Sequence, residues 1–404
     1  MRRTWLAGIF AFCALWAVLV GVVSNDHVHE IWGVIAAVGY GLAVLALLAI
    51  RHARAADVAL GLAFLGGLVV PLTYLATRHL GQPEVYVVAA SGRSLLHHGT
   101  PYMNPDTLKK LGQQYDYNPY LPVMALFGLP SAVSHIGVLT DPRLWFGVVF
   151  LGIFWLSLRR GGARDAIRWT VLVAATPVIA FELAVGGTDV PMVAFLCLGF
   201  AYLWIQRPVL AGLALGIGAS MKATAWPALL VAAALLWVTA GRRAVRNFAL
   251  TAVAVVVVCV GPFVAVHPRA LITNTIKFPL GLTGIESAAR SPLPGYLISS
   301  TWGHTGHTIV IALLGLAGLA VAVSLVVRPP RTVPRAVLLL AGAMTLMFVI
   351  APSTRVGYFI YPAALLIWLF ATWMGRRAGG DGDLLGEIEV GFLPARVPEG
   401  PPAP

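Results

Sequence analysis

Three carboxylates and three cations are placed where an ionised side chain needs a reason. The acids are Glu84 in Gln82-Pro83-Glu84-Val85-Tyr86, Asp116 in Tyr115-Asp116-Tyr117-Asn118-Pro119-Tyr120, and Asp189 in Gly187-Thr188-Asp189-Val190-Pro191. The cations are Lys222 in Ser220-Met221-Lys222-Ala223-Thr224-Ala225-Trp226-Pro227, Lys277 in Thr275-Ile276-Lys277, and Arg355 in Ser353-Thr354-Arg355-Val356-Gly357-Tyr358. Carboxylates accept protons and fixed cations hold anions, so the set offers acid–base work next to an anionic ligand such as a phosphate. Each also has a plain structural role. Glu84 would complement the dipole of a helix opened by Pro83, Asp189 would cap the helix after it, and Lys222 would snorkel to an interface.

Other side chains extend this set. Tyr86, Ala89, Ala90, Arg93 and Leu96/His97 recur at helical spacing, which predicts a helix along the membrane surface carrying Glu84. Tyr117, Asn118 and Tyr120 offer apolar faces with polar partners, as a sugar ring requires, and equally suit an aromatic belt. Glu182 lies about one turn from the end of its helix. Trp226 follows Lys222 at a break, and Tyr358 follows Arg355. Arg290 and His304 share a loop with Lys277, and each of the three suits either a phosphate or sugar contact or, more simply, a solvated loop. His27-Val28-His29-Glu30 has two histidines but no third ligand in view, so no metal site is assigned. No Gly-rich phosphate loop, CxxC, HExxH or GxSxG occurs, which removes the P-loop ATPase, zinc-protease and serine-hydrolase readings.

The elements that position these residues follow from composition. The 404-residue chain is 59% hydrophobic and 11% charged, with net charge +12, and its mean hydropathy is +0.84. A soluble enzyme carries about a quarter charged residues, so this is a polytopic α-helical membrane protein. Apolar blocks predict spans at 5–23, 31–50, 58–77, 144–158, 169–186, 190–206, 209–221, 226–240, 248–267, 307–327, 336–351 and 357–374. The first is read as an uncleaved helix, because no small-x-small cleavage site follows it. Arginines cluster in alternate gaps, at 2–3, 51–54, 159–168, 207, 242–246, 328–335 and 376–377. By the positive-inside rule these gaps and both termini are cytoplasmic, which also removes the need for a nucleic-acid partner to explain the charge. That sidedness requires 120–136, broken by Pro122, Gly128 and Pro130, to be an outer re-entrant or interfacial segment. Two long outer loops result, 78–143 and 268–306, and they point function away from the cytoplasm. The tail, 375–404, is Gly-, Pro- and acid-rich and is expected to be disordered. Cys13, Cys197 and Cys259 lie in apolar blocks and act as packing residues.

The order of motifs resembles a known family. An acid ahead of Val85-Tyr86 is followed by Ala89-Ala90, Leu95-Leu96, Gly99 and Pro101-Tyr102. Then come Tyr117-Asn118-Pro119-Tyr120, the Gly187-x-Asp189-x-Pro191 helix start, Lys222-x-Thr224-Ala225-Trp226-Pro227, and Ala351-Pro352-x-Thr354-Arg355-x-Gly357-Tyr358. This is similar to the actinobacterial branch of glycosyltransferase family 87, α-mannosyltransferases of GT-C fold that use polyprenyl-phosphate-mannose. The likeness covers roughly 80–375. The family's aspartate just ahead of Val-Tyr is met here by Gln82 and Glu84, and its Tyr-Pro-Pro by Tyr117-Asn118-Pro119. The helices before residue 58 lie outside the likeness.

The resemblance implies a GT-C-like bundle in the plasma membrane, a polyprenyl-phosphate sugar donor, a glycolipid or glycan acceptor, and no cofactor. It also implies roles. A phosphate-linked sugar leaves without a general acid, so one carboxylate suffices to deprotonate the acceptor hydroxyl, with inversion at the anomeric carbon. Glu84 is the expected base, with Asp189 and Asp116 as the next candidates. Lys222, Arg355 and Lys277 are expected at the donor phosphate. Tyr86, Arg93, Tyr117, Asn118, Tyr120, Glu182, Trp226, His304 and Tyr358 are expected around the substrates. A lipid-linked-sugar flippase or secondary transporter is the competing class, and a non-catalytic scaffold of the same fold is a third.

Overall fold

The computed structural model describes residues 3–134, 136–285 and 289–378. The described residues form helices and turns, with a single isolated bridge between Arg290 and Thr354. In hydrocarbon a backbone must bond to itself, and the apolar blocks do so as helices. The helices are α1 (Arg3–Val23), α2 (His27–Ala49), α3 (Ala55–Thr77), α4 (Pro83–His98), α5 (Pro142–Gly161), α6 (Ala166–Ala175), α7 (Pro177–Val185), α8 (Val190–Trp204), α9 (Pro208–Ala219), α10 (Trp226–Thr239), α11 (Gly241–Val266), α12 (Pro294–Val327), α13 (Val333–Ile350) and α14 (Ile360–Arg377).

Eight of these are long and apolar enough to cross a membrane, or nine if the bent pair α6–α7 counts as one. The apolar blocks stand where the sequence puts them, but α8, α9 and α10, at 15, 12 and 14 residues, fall short of a full crossing. The expectation of about twelve spans therefore meets eight or nine of full length. The 60° bend between α6 and α7 falls at Thr176, which Pro177 holds in extended backbone.

Three further boundaries differ from expectation. His27–Glu30 belongs to the first turn of α2, because the Asp26 carboxylate caps the Val28 N–H. The second long loop is shorter than 268–306, since Pro294 starts α12, which is broken by Gly303 at φ 53° and ψ −129°. The segment Pro122–Val133 forms a 3-10 stretch followed by one helical turn, too short to span, as expected of an interfacial piece. Of the tail, 375–377 completes α14, Ala378 follows it as the cap, and 379–404 lies outside the described residues.

The core runs through α1–α3 and α5–α10 into α13 and α14, around fully buried Trp32, Phe146, Phe150, Phe200, Tyr361 and Trp368. The rest of the protein barely covers α11 and α12, where only 11% and 6% of the most apolar stretch is buried. Gly39 of α2 and Gly66 of α3 touch so closely that a Cβ on either would fall on the other's Cα. This is the small-residue contact by which helices associate in lipid, where burial of apolar surface gives little driving force. Tyr40 and Trp32 add hydroxyl and indole bonds to the Ala175 and Gly67 carbonyls, tying α2 into the bundle.

Candidate active site

Four connections converge at one end of the bundle. The turn before α4 is fixed by Arg143, whose side chain is 1% exposed and pairs with Asp141 at 2.7 Å. Its Nη1 donates to the Leu80 and Ala184 carbonyls, and the Gln82 N–H donates to Val185 O at 2.6 Å. These bonds seat the first turn of α4 against the end of α7. The segment after Asn118 is tied to the break between α9 and α10. There the Leu121 and Val123 N–H groups donate to the Met221 and Ser220 carbonyls. The loop between α13 and α14 is held by the Arg290–Thr354 bridge and by Val356 N–H donating to Ser291 Oγ.

Two carboxylate–cation pairs result. Glu84 Oε1 lies 2.6 Å from Arg355 Nη2, with side chains 22% and 24% exposed. Asp189 Oδ1 lies 2.6 Å from Lys222 Nζ, at 8% and 13%. The partners come from positions far apart in the chain; tyrosines surround the Asp189–Lys222 pair, and Tyr358 and Tyr120 are near enough to Arg355 to act on its charge. The Lys222 ammonium sits 4.8 Å from the centroid of the Tyr358 ring and 5.6 Å from that of Tyr120, a cation–π arrangement that takes the place of lost water. The Tyr361 hydroxyl donates to Asp189 Oδ1 at 2.7 Å and lies 2.8 Å from the Thr224 hydroxyl. Glu182 is wedged between the backbones of Gly187 and Gly357, where a methyl on either glycine would strike its carboxylate. It feels the charges of Asp189, Arg355, Glu84 and Lys222.

Electrostatics keep the charges and the phenol in place. Burial would lower the Arg355 pKa, but the Glu84 carboxylate holds it above its usual value. Burial pushes the Tyr120 phenol well up, so it stays a neutral hydroxyl. Glu84 Oε2 is buried and has no hydrogen-bond partner among the described residues. A buried carboxylate oxygen left open is rare, and it is ready to accept a proton from something that enters.

The cluster gathers Glu84, Asp189, Glu182, Lys222, Arg355, Tyr120 and Tyr358 from the sequence candidates. Asp189 is not a cap: its backbone is helical and its side chain makes no cap bond. Lys222 does not snorkel, because its ammonium turns inward to Asp189 and to the Tyr358 and Tyr120 rings. Other candidates stand elsewhere. Tyr86 is 46% exposed and its hydroxyl returns to the His79 carbonyl at 2.5 Å. Arg93, Lys277 and His304 are exposed. Asp116 sits in the separate turn Gln114–Asp116, and among the described residues neither pair bonds to it. Tyr117 stacks on Phe278 at 4.6 Å. Asn118 organises backbone, accepting from the Tyr120 N–H and donating to Pro101 O. The Trp226 indole staples the break by donating to Ala219 O.

Tyr361 and Arg143 were not named from the sequence, and Thr224 was named only within the Lys222-x-Thr224-Ala225-Trp226-Pro227 motif. Tyr361 lies one turn beyond Tyr358 and Thr224 two residues beyond Lys222, spacings that place both at the cluster. An open groove of about 440 Å³ lies beside the Arg355 loop, lined by Gln113, Gln114, Tyr115, Ile285 and Arg290. Among the described residues no group of three His, Cys, Asp or Glu could hold a metal.

The family model of glycosyltransferase family 87 matches residues 118–352. The chain belongs to that family. The matched stretch contains Glu182, Asp189 and Lys222, while Glu84 and Arg355 lie beyond its ends. The fold is also similar to two crystal structures of ArnT from Cupriavidus metallidurans. The apo structure is 18% identical with TM-score 0.47, over 84% of this chain and 66% of that one. The structure bound to undecaprenyl phosphate is 17% identical with TM-score 0.48, over 85% and 67%. The chain thus spans about two thirds of their length. No curated protein matches it.

Proposed function

We propose that the protein is an integral membrane hexosyltransferase. It moves a sugar, mannose by the family resemblance, from a polyprenyl-phosphate carrier to a hydroxyl of a glycolipid or glycan. Transfer takes place on the extracytoplasmic side of the plasma membrane, with both termini cytoplasmic. The observation that carries the reading is Glu84, which has one oxygen on Arg355 and the other buried and open. The acceptor oxygen attacks the anomeric carbon while Glu84 Oε2 takes its proton. The bond from that carbon to the phosphate oxygen breaks, and its electron pair leaves with the phosphate. Negative charge then grows on the phosphate, where Arg355 and Lys222 supply fixed positive charge without reorganisation. Lys222 has three N–H donors and commits one to Asp189, so it can also serve the phosphate. The groove at Gln113–Tyr115 and Arg290, next to the Arg355 loop, is the acceptor side of this reading.

The test is to incubate purified protein with labelled polyprenyl-phosphate-mannose and a membrane lipid extract. A labelled glycolipid or glycan is expected. Wild-type protein that binds the donor but yields no product would remove the enzymatic reading.

A further inference from the structure

The N-terminal helices α1 and α2 lie outside both the motif resemblance and the matched stretch 118–352, yet they reach the cluster. His29, on the first turn of α2, places Nε2 2.7 Å from the Gln82 side-chain amide and Nδ1 2.8 Å from Ser24 Oγ. Its ring stands edge-on to Phe181, the residue before Glu182, at 4.9 Å. With the Gln82 amide donating, the imidazole is neutral and gives its Nδ1 proton to Ser24.

Gln82 is the residue that sets the entry into α4. It stands in the cap position with φ −66° and ψ 152° and makes no side-chain cap bond. Pro83 restricts it to that extended backbone, and Glu84 follows on the first turn. Its N–H is fixed to Val185 and its amide to His29. Two anchors from different helices therefore decide where Glu84 begins.

We propose that His29 is a positioning residue, through which the N-terminal helix pair holds Gln82 and so keeps Glu84 on Arg355. Its catalytic meaning rests on the reading of Glu84 as the base, but its geometric content does not. The test reads the Glu84–Arg355 contact directly. Full-length protein in detergent is treated with a water-soluble carbodiimide and an amine, and modification of Glu84 is followed by peptide mass spectrometry. Arg355→Met sets the rate for a released carboxylate. His29→Ala is expected to speed labelling roughly fivefold towards that rate, the factor that goes with one ordinary hydrogen bond. His29→Gln, which can still meet the Gln82 amide, is expected to restore the slow rate. Gln82→Leu breaks the same bond from the other side and should reproduce His29→Ala, with no further rise in the double variant. This second route decides the matter if His29→Ala fails to fold. Wild-type labelling rates in Gln82→Leu, or a wild type already as fast as Arg355→Met, would overturn the proposal. If labelling behaves as expected but wild-type protein transfers no sugar, the positioning link stands and the glycosyltransferase reading falls.

Discussion

Glu84 and Arg355 satisfy each other while leaving one carboxylate oxygen open, and each half of that arrangement can be removed separately. Glu84→Gln keeps the shape and removes the proton acceptor. It should lower the turnover number by about 10²–10⁴-fold with little change in donor affinity, as measured by single-turnover sugar transfer. Asp189 and Lys222 behave differently, since each is the other's compensation in a nearly closed space. Asp189→Asn or Lys222→Met alone should cost about 3–5 kcal/mol of stability, because either strands a buried charge. The double variant should recover most of that loss in thermal unfolding in detergent, though not the activity. All four charges could be named in the sequence: Asp189 and Lys222 as ions beside apolar spans, Arg355 as a lone cation against the charge bias of its side, and Glu84 as the acid ahead of Val85-Tyr86. The roles of His29, Tyr361 and Thr224 could not, since such residues in a helix are ordinary until the partner is seen. Arg93, Lys277 and His304 stand exposed, where a segment accepts a charge at no cost, so the sequence carries no such signal for them.

At the level of elements, the site is made from breaks. Lys222 stands between α9 and α10, Glu182 lies in the last turn of α7 beyond the 60° bend, Asp189 precedes α8, and Arg355 lies between α13 and α14. Periodicity found the helices, because each apolar block must close its own hydrogen bonds. It missed α2's first turn, although Asp26 with Glu30 was the signal for a helix start. It could not show that Gly187 and Gly357 clasp Glu182, which depends on contacts between distant segments. Gly357→Ala would drive a methyl into that carboxylate. It should cost about 1–3 kcal/mol by overpacking and lower activity more than a distant change of equal thermal cost, measured by melting and transfer assays side by side. Gly39→Leu would part α2 from α3 by the same mechanism. The melting temperature should fall, and by the link through His29 the Glu84 carbodiimide rate should rise.

For the molecule as a whole, the proposed sidedness rests on the arginine clusters and can be tested without knowing the substrate. In a Cys259→Ser background, Lys277→Cys should react with a membrane-impermeant maleimide in intact cells, whereas Arg243→Cys should react only after permeabilisation. The remaining cysteines, Cys13 and Cys197, are buried and should stay silent. Reversed labelling would turn the cluster towards the cytoplasm and undo the proposed orientation. The near-bare flanks of α11 and α12 bear on how such a protein would meet its donor. An isoprenoid tail resting on those flanks exchanges one hydrocarbon neighbour for another, so its contact contributes little to the grip. The bilayer then serves as the reservoir that sets how many donors come within reach, and discrimination falls on the sugar and phosphate head. Shortening the tail would accordingly change the local supply of donor far more than the strength with which each one is held.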